Sequence, residues 1–236
     1  MGRNPQDSIK TMAFADFYRK MDYDAVGLSS SETSHGLTMW RDVAEQGLPV
    51  VAANIFESSS GKSFLSRIFV GNGEKPVFEQ FIVREDHGQR LGVIGFLSPT
   101  AWKALPDSGA GLVYKSPFEM AKLVRKADRK CDHLTIVGEF SSAEADSLAR
   151  AFPEVDVIIS SAIRNDNAVT VGNTVIVGST ARGNNVNYVD LLPSSSDSLQ
   201  YITKTLALDG SVPEDSTVAR LLIDAKDRIS SAGQQR

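Results

Sequence analysis

Short apolar runs, each closed by small or turn-forming residues, recur along the chain and alternate with stretches of helical spacing. Residues 24–28 (DAVGL), 48–54 (LPVVAAN), 90–97 (RLGVIGFL), 133–137 (HLTIV) and 155–160 (VDVIIS) are such runs. Their length and lack of strict alternation suit strands covered on both faces. Between them, 9–21 places Ile9, Met12, Ala13, Phe14, Phe17, Tyr18 and Met21 at helical spacing, which leaves one apolar face. A short helix over 37–46 stops at Gly47. Ser116-Pro117, with Glu119 three residues after the serine, starts a helix to about Lys130. Ser141 or Ser142 caps another that ends near Phe152-Pro153.

Hairpins punctuate this alternation. Gly71-Asn72-Gly73 joins the alternating runs 64–70 and 76–85, and His87-Gly88 is a second turn leading into 90–97. Residues 102–114 read as loop. Beyond residue 165 the pattern shifts to short strands at 168–171, 174–178 and 186–192, with Gly172-Asn173 as the clearest turn. An edge strand at 200–206 follows. A final amphipathic helix at 213–230 carries Val218, Leu221, Leu222, Ala225 and Ile229 on one side. The polar stretch 194–198 is a loop. The expectation is one domain over 1–236, a layered α/β sandwich of mixed sheets flanked by helices, rather than a pure doubly wound parallel sheet.

Composition removes several classes of function. The net charge of −4 leaves no basic field for nucleic acid. The single cysteine, Cys131, rules out an intrachain disulfide and any all-cysteine metal cage, and no CxxCH attaches a haem. Cys131 reads as a small buried hydrophobe at a helix end. No apolar run approaches the ~18 residues of a membrane helix. The opening MGRNPQDSIK lacks the apolar core of a signal peptide. The expectation is that the protein stays where it is made, or that this sequence lacks its natural start.

Strand ends carry the chemistry in α/β folds, so the serine-rich stretch after 24–28 is the place to look. Gly27-Leu28-Ser29-Ser30-Ser31 approaches a nucleophile elbow, GxSxG, but ends in serine. The three histidines, His35, His87 and His133, offer no credible base for it. Ser60-Gly61-Lys62-Ser63 ends like a phosphate-binding loop, but Phe56 stands where its first glycine belongs. Glu32, His35, Glu139 and Asp166 lie near strand ends and are metal-ligand types, with no paired histidine spacing among them.

Several segments, in order from about residue 9 to residue 230, resemble the catalytic domain of 5′-nucleotidases within the calcineurin-like metallophosphoesterases. In that family a YDAV strand leads into G-N-H-E-F-D-x-G. Here Tyr23-Asp24-Ala25-Val26 leads to Ser29-Ser30-Ser31-Glu32-Thr33-Ser34-His35-Gly36. The family's pVlsAN strand is matched by Pro49-Val50-Val51-Ala52-Ala53-Asn54, and kvGviGl.tp by Leu91-Gly92-Val93-Ile94-Gly95-Phe96-Leu97-Ser98-Pro99. The family's aDvvIvLSHlG falls on 131–140, lA..vpgiDviigGHtH on 148–164, and v.v.gt.iv.aG..G..vg.ldl on 169–191, including Gly183.

The frame matches while the ligands do not. The metal-binding Asn falls on Ser30 and the catalytic His on Ser31. A metal-ligand His falls on Glu139, and two more fall on Ala162 and Arg164. The DxH and GD motifs of the family's N-terminus have no counterpart, so relative to the family the chain is N-terminally truncated. Set against the resemblance, these five positions are vestigial, and no catalytic residue, bound metal or cofactor is expected. The implied function is a catalytically inactive, structural or interaction subunit with a protein partner, a multihaem c-type cytochrome by family analogy. The family is largely periplasmic or extracellular. Two alternatives stay open: an active phosphoesterase completed by another chain or by Glu32, Glu139 and Asp166, and a metal-free module that holds an anion or nucleotide with Arg164, Arg182 and the serine loop.

Overall fold

A computed structural model of the protein describes residues 5–34, 36–58, 74–106, 111–165, 167–178, 184–192 and 200–234. The elements open with α1 (Pro5–Lys20), β1 (Val26–Gly27), α2 (Ser30–Thr33), α3 (Thr38–Glu45), β2 (Val50–Val51) and β3 (Ile55–Glu57). Next come β4 (Lys75–Pro76), β5 (Phe81–Asp86), β6 (Gln89–Phe96), α4 (Pro99–Ala104), β7 (Leu112–Tyr114) and a 3-10 turn (Pro117–Met120) that runs into α5 (Ala121–Asp128). The chain continues with β8 (His133–Gly138), α6 (Ser142–Ala151), β9 (Val157–Ser160), β10 (Val169–Val171) and β11 (Thr174–Val177). Last are β12 (Asn185–Leu192), β13 (Gln200–Ala207) and α7 (Ser216–Gln234).

The longest apolar runs build a six-stranded sheet in the order β10-β11-β9-β8-β6-β5. Its inner strands β11, β9, β8 and β6 are parallel, and its two edges are antiparallel. The β5–β6 turn places His87 at φ 48° and Gly88 at φ 80°, two left-handed positions in succession, as a twisted two-residue hairpin needs. One face of the sheet receives α5, α6 and the 3-10 turn. There Ile94, Phe96, Leu134, Ile136 and Ile158 pack with Val124 and Leu148.

The other face carries the short strands. β1 and β2 pair in parallel, and β4-β3-β7 form a three-stranded sheet. A backbone bond ties them to the large sheet, the Ala53 amide donating to the Gly95 carbonyl at 2.7 Å, and the Ala52 amide donates to the carbonyl of Glu79, between β4 and β5, at 3.0 Å. A Cβ at Gly95 would collide with the Val51 carbonyl, so this approach requires glycine. A second core lies beyond, where Ala15, Trp40 and Val43 of α1 and α3 meet Val26, Val50, Ile55 and Leu97. The layers therefore run helix, sheet, sheet, helix, the mixed α/β sandwich that the sequence predicts.

Several local expectations need correction. The run 76–85 is not one strand: it bends after Pro76, so β4 and β5 belong to different sheets. The strands expected at 24–28 and 48–54 shrink to two-residue ladders. The expected loop 102–114 contains the end of α4 and all of β7. Ser98 caps α4 through the Ala101 amide at 3.0 Å, with Pro99 in the first turn, the same signal that Ser116-Pro117 gives further on. The final helix begins at Ser216 rather than 213 and runs past 230. It is also less buried than its pattern suggests: Ala225 is 8% exposed, but Leu222 is 55% exposed. The Gly71-Asn72-Gly73 hairpin and Ser60-Gly61-Lys62-Ser63 lie outside the described residues.

Candidate functional site

The carboxyl ends of β1 and β8 converge, each belonging to a different layer. Beyond β1, Ser29 caps the one-turn α2. Its hydroxyl accepts from the Ser31 amide at 3.3 Å, and its own amide donates to Glu32 Oε2 at 2.9 Å. The Ser29 hydroxyl also donates to the same Glu32 oxygen. This is a capping box closed by the serine–glutamate spacing. Thr33, fully buried, holds the turn from below: its single hydroxyl hydrogen lies within reach of two carbonyls, Ala101 at 2.9 Å and Ser29 at 3.0 Å. The Trp40 indole N–H donates to the Glu32 carbonyl at 3.1 Å.

Beyond β8 comes Glu139. The Ser30 amide donates to Glu139 Oε2 at 2.7 Å, and the Ser30 hydroxyl donates to Oε1 at 2.7 Å. Both carboxylate oxygens are thus engaged by one residue of the serine loop. The next residue, Phe140, is held by the buried Ser160 hydroxyl at the end of β9. That hydroxyl accepts from the Phe140 amide at 2.8 Å and donates to its carbonyl at 2.6 Å. It also accepts from the Ala162 amide at 3.2 Å.

The structure therefore brings together two of the five positions singled out in the sequence, Ser30 and Glu139. Ser31 is exposed on the outer side of α2, and Ala162 and Arg164 are exposed beyond β9. Glu32 is committed to the cap. His133 sits at the opposite end of β8, beside Asp156, its Nδ1 3.6 Å from the carboxylate. His35, Asp166 and Arg182 lie outside the described residues. Among the described residues, no three His, Cys, Asp or Glu side chains gather as a metal cage. The donors at hand do not fit a dinuclear centre either. Neutral serine hydroxyls are weak ligands for divalent cations, alanine offers nothing, and an arginine adds charge of the wrong sign.

An open cleft of 240 Å³ lies beside the loop, lined by Lys10, Phe14, Tyr18, Ser31, Glu32 and Trp40. Burial, and then the nearby Glu32 carboxylate, push the Tyr18 phenol up, so it stays a protonated donor. A wider cleft of 750 Å³, between Arg41 and Glu57 on one side and Lys126 and Lys130 on the other, holds none of the predicted positions.

Ser160 and Thr33 escaped the sequence reading. The signal for Ser160 was a polar residue closing an apolar run. For Thr33 it is a β-branched hydroxyl at the end of the serine-rich turn.

No protein-family model matches the chain, and no curated protein sequence does. Solved structures do. A 5′-nucleotidase precursor from Thermus thermophilus superposes with a TM-score of 0.75 at 19% identity, over 94% of this chain and 46% of that one. The sulfate thiohydrolase SoxB of Thermus thermophilus gives 0.72 at 18% identity, over 90% of this chain and 38% of that one. A putative 5′-nucleotidase from Staphylococcus aureus gives 0.67 at 20% identity, over 92% and 44%. The chain spans less than half the length of each. Its fold is that of a 5′-nucleotidase-like metallophosphoesterase domain.

Proposed function

We propose that this chain is a catalytically inactive metallophosphatase-like domain that serves as a structural or interaction subunit. The observation that supports this most is the Ser30–Glu139 bond. A dinuclear site works by holding two cations that activate water and clamp phosphate oxygens. That requires side chains aimed at a shared centre. Here Glu139 turns both oxygens onto the serine loop, and Ala162 and Arg164 have nothing to add to a cage. An interaction role is supported by the β12–β13 ribbon, where Val186 and Leu206, paired across it, are 45% and 51% exposed.

The test is turnover of nucleotides and of a generic phosphate ester by pure protein supplied with Mn, Zn or Fe. No turnover is expected. Turnover that Glu139→Ala abolishes would establish instead a working phosphoesterase with Glu139 in its site. The partner class implied by the family resemblance is a multihaem c-type cytochrome. Haem absorbance co-eluting with the chain would support it, and elution of both components at their separate masses would contradict it.

A further inference from the structure

The point where the two β-layers meet is closed by this chain's own side chains. Ser30 and Glu139 are 109 residues apart, come from different layers, and share two 2.7 Å bonds through one carboxylate. Each partner is fixed on its own side. Ser30 opens a turn held by the Ser29–Glu32 box and by the Thr33 hydroxyl on Ala101. Glu139 precedes Phe140, whose amide and carbonyl are both bonded to the Ser160 hydroxyl. A carboxylate that accepts an amide and a hydroxyl makes charge-assisted bonds, the stronger kind. With the backbone pre-set at both ends, the ordering cost falls mainly on the Glu139 side chain.

We propose that Ser30 and Glu139 form a metal-independent clamp between the layers, and that Ser160 is the positioning residue that aims Glu139 at the serine loop. Cations would join these loops in a working dinuclear site; here a protein carboxylate joins them. The clamp rests on the placement of three side chains and not on the absence of turnover, so the two ideas can fail separately.

A double-mutant cycle on the full chain tests it, read by thermal unfolding. Glu139→Ala is expected to lower the Tm by about 4–10 °C and Ser30→Ala by about 2–4 °C, from the usual worth of charge-assisted bonds in a chain of this size. The double variant should fall no further than Glu139→Ala alone, because that change already removes the hydroxyl bond that Ser30→Ala removes. In a Ser160→Ala background the coupling between the two should shrink to about half or less, a result that loss of a merely structural serine would not give. Millimolar Mn, Zn or Mg, or a chelator, should leave the Tm of the unaltered protein in place. If Glu139→Ala does not fold, Glu139→Gln keeps the size and one acceptor and reads the same coupling at lower amplitude. Additive losses, coupling unchanged in the Ser160→Ala background, or a rise of several degrees with cations would overturn the clamp.

Discussion

Asn54 and Leu97 hold each other through both ends of one side-chain amide. Asn54 Nδ2 donates to the Leu97 carbonyl and Asn54 Oδ1 accepts from the Leu97 amide, each at 2.9 Å. The same Nδ2 also donates to the Lys115 carbonyl at 2.9 Å. Asn54 is fully buried, and its bonds join the start of β3 to the end of β6 and to the residue that follows β7. Asn54→Ala leaves two buried backbone groups of Leu97 and the partly buried Lys115 carbonyl without their partner. The expected loss is about 2–4 kcal/mol of unfolding free energy by urea titration, since each stranded group costs about 1–3 kcal/mol before relaxation. A loss below the ~0.5 kcal/mol of a surface change would show that water replaces the amide.

The contact between the layers also depends on a missing side chain. Gly95→Ala drives a Cβ into the Val51 carbonyl, which is backbone and cannot turn aside. Gly88→Ala has open space but a φ of 80°. The former is expected to abolish soluble folded protein or cost more than about 3 kcal/mol. The latter should cost about 1 kcal/mol from the left-handed backbone alone. Expression followed by chemical unfolding separates the two. Equal losses would mean that the sheets can slide apart to admit a methyl group.

Cys131 should be a quiet thiol. It packs against Gly92, and its Sγ donates to the Ala127 carbonyl at 3.3 Å. Burial first, then the Asp128 carboxylate, push it up to about 11. At pH 8 only about one thiol in a thousand would then be ionised, against roughly a quarter in an unfolded chain with the ordinary pKa of about 8.5. Alkylation by iodoacetamide at that pH is expected to be on the order of 100-fold slower in the native protein than in urea. The linkage follows in sign. The folded-state value is raised, so this contribution to stability is complete below the unfolded value and is lost as pH rises through about 11. Native alkylation as fast as in urea would contradict the burial.

Much of the layer order was legible in the sequence because 90–97, 133–137 and 155–160 are long enough for apolar content to decide. All three became neighbouring strands of the large sheet. The shorter elements were not legible. A two-residue ladder such as β1 has no periodicity to detect, and its partner β2 and the Val137 side chain against Gly27 come from distant parts of the sequence. α4 has six residues, too few for a helical period to stand out beside the apolar run that ends at Leu97. The break between β4 and β5 comes from competition between two sheets for one apolar run, a tertiary choice that alternation cannot express. At the site, residue matching placed Ser30 and Glu139 at corresponding points of two loops. That they bond to each other was not readable, because it depends on Ser160 fixing Phe140 from a third strand.

We propose that the fold carries no working phosphoesterase centre in this chain. Metal content and turnover measured on the same pure sample, as isolated and after loading with Mn, Zn or Fe, test it most directly. No stoichiometric metal and no hydrolysis of a nucleotide or a generic phosphate ester is expected in either state. Stoichiometric metal, together with turnover that a chelator abolishes, would contradict it.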